Sequence, residues 1–194
     1  MSARGRLPFL AALRAGRPGW RLAVAGTAAW ALALAASAAA GLAMHGWSWP
    51  DMQPAVLLFF CGGFLAFPLA VWLAGLLDAW LAFRPGQRFA SVFILLGMGS
   101  VALTALIFSQ VFRHYFSGFH GPFGSKLWLI QTIFTSAAAI YHFLVMGLRL
   151  FLPLGLPALL LAALLLTRRP ALSKGPPGAN STHPQESTKD RSPR

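Results

Sequence analysis

The feature that most constrains this chain is the length of its uncharged stretches. No Asp, Glu, Lys or Arg occurs in residues 22–50, 52–77, 89–112, 127–148 or 150–167. A helix rises ~1.5 Å per residue, so about 20 apolar residues cross the ~30 Å hydrocarbon layer of a bilayer. These runs predict an all-α fold, a polytopic transmembrane helix bundle of about four spans with disordered basic termini. The expected organisation is a basic cytoplasmic tail over 1–21, a bundle over 22–167 and a disordered basic tail over 168–194. The spans read as about 22–44, 54–83, 89–112 and 127–167, the last with a break near Pro153.

Composition agrees. Only 10% of residues are charged and 57% are hydrophobic, against about 25% charged in soluble domains. A chain this poor in charge cannot cover a surface that faces water. Its single cysteine, Cys61, cannot form an intramolecular disulfide.

Charge placement separates two classes of partner. A net charge of +12 suits nucleic acid in principle. Five arginines lie in the first 21 residues, however, and six Lys/Arg follow Leu166, so the basic ends flank apolar runs. They read as topology signals and as contacts to anionic lipid headgroups, with no nucleic-acid partner. Placing both termini in the cytoplasm puts thirteen Lys/Arg inside and only Arg113 and Lys126 outside, with Arg149 unassigned. That arrangement needs an even span count. A five-span alternative, dividing 127–167 into 127–148 and 150–167, has no loop to turn on and exports the basic tail. The expected location is the plasma (inner) membrane, and the bias to Ala, Arg, Gly and Pro points to a GC-rich bacterial genome.

Three local features refine this plan. Residues 1–21 read as a loose tail, although 7–14 also fit a short amphipathic turn on a membrane surface. The basic start, apolar run and Ala36-Ser37-Ala38 resemble a signal peptide, but apolar residues continue to Met44, so a retained anchor is expected. Trp47 and Trp49 suit an interface, and Asp51 is the expected N-cap of the second span. Pro68, Pro153 and Pro157 are the expected helix kinks. Gly62, Gly63, Gly97 and Gly99 are the expected helix-packing positions, because small residues let helices approach in lipid.

Candidate chemistry is sparse. Gln131, Thr135, His142 and Arg149 fall on one helical face by steps of four and seven. Together with Asp78 they form the candidate intramembrane polar path, or alternatively polar packing between helices. Asp78 is also a candidate partner for Arg84 or Arg88. His45, His114 and His120 would share one side with Asp51, but their spacing fits no zinc pattern. For haem, only His142 is deep enough. No GxSxG, HExxH, P-loop or carboxylate pair occurs, so no cofactor, metal or enzymatic activity is expected.

Three functions follow. The first is a small accessory or structural membrane protein acting through lateral helix contacts, with a membrane-protein partner or a homo-oligomer. The second is a small oligomeric transporter or channel using the polar stripe. The third is a membrane-embedded redox or enzyme subunit.

Overall fold

A computed structural model describes residues 8–119 and 121–168, which are helical and contain no strand. Of the terminal tails, residues 1–7 and 169–194 lie outside the described residues, and with them the expected disorder of the C-terminal tail. The helices are α1 (Phe9–Ala15), α2 (Trp20–Ala43), α3 (Trp49–Leu81), α4 (Pro85–Tyr115), α5 (Lys126–His142) and α6 (Gly155–Arg168). Between α5 and α6 run a π-helical turn, Phe143–Gly147, and a 3-10 turn, Leu148–Phe151. Four stretches are long and apolar enough to cross a membrane: Trp20–Ala43, Trp49–Leu81, Pro85–Tyr115 and Lys126–Phe151.

Helices α2, α3 and α4 form an up-down-up core. The 44–48 loop marks one end of it, here called apical, and the 82–84 turn marks the other, here called basal. Alanine, the best helix former, dominates α2. Ser48 takes the N-cap position of α3, correcting the expectation for Asp51. The reason is Pro50, whose fixed φ suits a first helical turn. The helix therefore starts at Trp49, and Asp51 moves inside to accept a hydrogen bond from the Ser48 hydroxyl. Further on, α3 continues through Pro54 and Pro68 to Leu81. At the basal turn Ala82 adopts a left-handed conformation (φ 53°) and donates its N–H to the Asp78 carbonyl at 2.9 Å. Pro85 then opens α4, where the Arg84 N–H donates to Gln87 Oε1 at 2.9 Å.

Close approach sets the register. A Cβ on Gly63 would lie 3.1 Å from Ala31 Cα, which places α3 against α2. A Cβ on Gly62 would lie 3.0 Å from Thr104 Cα, which places α3 against α4. The Trp30 indole Nε1–H donates to Ser100 Oγ at 2.9 Å and links α2 to α4. Ser100 in turn donates to the Leu96 carbonyl, and Thr104 donates to the Ser100 carbonyl, both at 2.7 Å. These buried hydroxyls are thus satisfied without water. Leu34, Phe59, Phe67 and Leu96 fill the core between the helices.

The N-terminal tail departs from expectation. Residues 9–15 form α1, which packs on the basal end of α3. Gly16 and Gly75 meet so closely that a Cβ on Gly75 would lie 2.6 Å from the Gly16 carbonyl oxygen. Trp72 Nε1–H donates to the Leu13 carbonyl at 3.3 Å, Phe9 meets Trp80 edge-on at 6.0 Å, and Ala12 is fully buried. Arg14 and Arg17 are thereby fixed beside the basal end.

The last stretch is one path broken in two. Helix α5 packs on the apical part of α4, with Phe143 against Phe108 at 5.9 Å. Phe151 reaches Phe59 at 4.7 Å, ten residues into α3. Leu150 reaches Ser37 and Gly41 near the end of α2. From there α6 runs antiparallel to α4: Gly155 lies beside Leu34 and Ser37, and Leu159 beside Gly97. The 14 residues of α6 cover only ~21 Å. Helix α5, the two turns and α6 follow one another toward the basal end, with the interruption at Pro153.

Candidate functional site

Helix interruption inside an apolar bundle frees backbone polar groups, and such groups need partners where water is absent. Pro153 cannot supply the N–H that would bond Arg149, and the Arg149 carbonyl instead accepts from Leu152 N–H at 3.1 Å. The next pair, Leu150 C=O and Leu154 N–H, is separated by the turn. Ser37 of α2 stands between them. Its hydroxyl donates to the Leu150 carbonyl at 2.8 Å and accepts from Leu154 N–H at 3.1 Å and Gly155 N–H at 3.0 Å. One fully buried side chain thus uses its donor and both lone pairs on the break. Gly41, one turn further along α2, leaves room for this: a Cβ there would lie 3.0 Å from Leu150 Cδ2.

Pro157 does not kink α6. The first intrahelical bond runs from Ala158 N–H to the Leu154 carbonyl at 3.0 Å, so Pro157 occupies the first turn, where no N–H is needed. Pro68 lies within an unbroken α3, where it removes one backbone donor.

The polar stripe divides by depth and by partner. Gln131 Oε1 accepts the Gly121 N–H at 2.8 Å and ties the apical loop to α5. Thr135 and Gln131 share a shallow groove of about 390 Å³ between α4 and α5, walled by Phe112, Phe116, Phe119 and Phe134. His142 is exposed. Its Nδ1 lies 2.9 Å from the Ala138 carbonyl and its ring stacks on Phe112 at 6.3 Å. Arg149 is exposed on the 3-10 turn. Asp78 belongs elsewhere: it pairs at the basal end with Arg88, Nε to Oδ2 at 3.0 Å, rather than with Arg84.

The glycines sort by neighbour. Gly62 and Gly63 make the helix contacts just described, and a Cβ on Gly97 would meet Leu159 Cδ2 at 3.0 Å. Gly99 faces open space, with nothing within 4 Å of a Cβ there. Gly97 and Gly99 are two residues, ~200° of helix, apart, and only one of them can face α6. Of the histidines, His45 bonds the Gly41 carbonyl through Nδ1 at 2.7 Å, and His120 lies outside the described residues. Among the described residues no three His, Cys, Asp or Glu side chains gather as a metal site.

Sequence reasoning missed Ser37, Trp30, Ser100 and Gly16. Each acts on a residue at least 59 positions away, so no local pattern marks it. Comparison with protein families, curated proteins and solved structures finds no match. The functional reading therefore stands on geometry and charge.

Proposed function

We propose that the chain is a multi-pass protein of the plasma (inner) membrane with both termini in the cytoplasm. In this reading it serves as a small accessory or structural subunit through lateral helix contacts. Charge supports the orientation. Arg14, Arg17, Arg21, Arg84 and Arg88 gather at the basal end, toward which α6 carries Arg168. Arg113 and Lys126 lie at the apical end. The exposed Trp20 and Trp80 at one end and Trp47 and Trp49 at the other suit the two interfaces of a bilayer.

The observation that carries the lateral-contact reading is the position of α5. The apolar window of Lys126–Phe151 is 11% buried in the bundle, against 39% for α2. Ile130, Ile133, Phe134, Tyr141 and Val145 all face outward. A helix held mainly along one side by α4 offers its remaining face to a neighbour in the membrane.

Photo-crosslinking amino acids at Ile133 and Tyr141 test this, with Leu32 on the outward face of α2 as control. Discrete protein adducts at 133 and 141 in native membranes, absent at 32, are expected. Labelling of lipid alone at all three positions would overturn the reading.

A further inference from the structure

We propose that Arg149 forms a site for the phosphodiester of a phospholipid headgroup, drawn toward the helix break from the apical side. The proposal rests on the membrane reading above and adds a ligand to it.

Depth is the first observation. The Leu150 carbonyl meets Ser37, six residues before the end of α2, a rise of ~9 Å. Phe151 stacks on Phe59. The backbone of Arg149 therefore sits well below the apical ends of α2 and α3, beside exposed Leu148, Val145 and Leu152. A guanidinium at membrane depth is costly unless it meets an anion or reaches the interface. The two carboxylates among the described residues are engaged elsewhere, Asp78 with Arg88 and Asp51 with Ser48.

Direction is the second. Phe143 and Leu150 are the buried anchors of this segment. His142 and Arg149 each precede an anchor by one residue, so they lie seven residues apart along the same exposed flank. Helical side chains lean toward the N-terminus of their helix. Here the N-terminus is apical, so Arg149 leans toward His142 and toward the headgroup layer.

Chemistry is the third. Nδ1–H of His142 donates to the Ala138 carbonyl, so Nε2 is an acceptor and the ring, stacked on Phe112, gives the phosphate no donor; the anion contact falls to Arg149. A guanidinium fork matches two phosphate oxygens, where an ammonium offers only a point charge. The apolar surroundings suit acyl chains rather than a soluble anion.

The test uses the full chain in detergent micelles doped with either phosphatidylglycerol or diacylglycerol of the same acyl chains, read by native mass spectrometry. Wild type should retain one phosphatidylglycerol about tenfold more strongly than diacylglycerol, as expected for one charge-assisted hydrogen-bonded pair. Arg149→Gln should abolish that preference and Arg149→Lys should keep part of it, while Lys126→Gln should leave it unchanged. Equal retention of both lipids by wild type would overturn the proposal, as would wild-type retention by both Arg149 variants. Displacement of the lipid by millimolar inorganic phosphate would overturn the lipid as the source of the anion. A carbodiimide cross-link from Arg149→Lys to a second protein in native membranes would assign the site to a protein carboxylate instead. A chain that stays monomeric in buffer without detergent would refute the membrane reading itself, and the headgroup comparison is separate from that outcome.

Discussion

Replacing Ser37 with alanine isolates what holds the broken helix together. The substitution removes one donor and two acceptor interactions and leaves the Leu150 carbonyl and the Leu154 and Gly155 N–H groups without their partner. Interhelical hydrogen bonds in membrane proteins average ~0.6 kcal/mol, so three give ~2 kcal/mol. Three stranded backbone groups at ~1–3 kcal/mol each set an upper figure of ~3–9 kcal/mol. Small shifts of the 152–154 turn recover part of this, and the expected loss is ~2–4 kcal/mol. Reversible unfolding in mixed micelles, titrated with SDS and followed by circular dichroism, measures it. The matched control is Ser91→Ala, because the Ser91 hydroxyl is buried and has no hydrogen-bond partner among the described residues. Its removal should change stability by less than ~0.5 kcal/mol, or raise it. Amide exchange at Leu154 and Gly155 should accelerate in Ser37→Ala and stay unchanged in Ser91→Ala. A Ser37→Ala chain as stable as wild type, or equal losses in the two variants, would refute the assignment of the hydroxyl to the break.

Two further outcomes follow from the packing and the charge distribution. Gly62→Ala should cost ~1–3 kcal/mol in the same unfolding assay, because its methyl meets the backbone of Thr104 and forces α3 from α4. Gly99→Ala, which meets nothing, should be neutral or gain up to ~1 kcal/mol of helix propensity. Reporter fusions after residues 86 and 170 should report the cytoplasm, and fusions after 50 and 120 the opposite side. A fusion after 170 on the far side would overturn the reading of α5 and α6 as a single crossing.

The helices were legible from hydropathy because each span carries its own signal within about 20 residues. The break near Pro153 was legible for the same reason, since a proline removes a donor wherever it stands. What repairs the break was not. Ser37 stands in an alanine-rich run whose small residues equally resemble a cleavage site, and its partners lie 113 to 118 residues away. The docking of α1 was hidden by the prolines, glycines and arginines around it, which read as a tail. The decisive feature there is the fit between Gly16 and Gly75, a property of two surfaces. Gly97 and Gly99 illustrate the remaining limit. The sequence marks both as small, and the rotation of α4 decides which one touches Leu159. Of the polar stripe, Gln131 takes a loop amide and His142 the backbone of α5 itself, while Arg149 lies beyond the π-helical turn that ends the regular helix.

The shortness of α6 has a consequence for synthesis. Fourteen residues are too few to partition into a bilayer as an independent span. In chain order α2 precedes them, and it carries the hydroxyl that receives them. In the membrane reading proposed above, insertion of the final segment becomes a docking reaction on α2, and a chain ending just past Phe151 would hold Ser37 without the backbone N–H groups of Leu154 and Gly155.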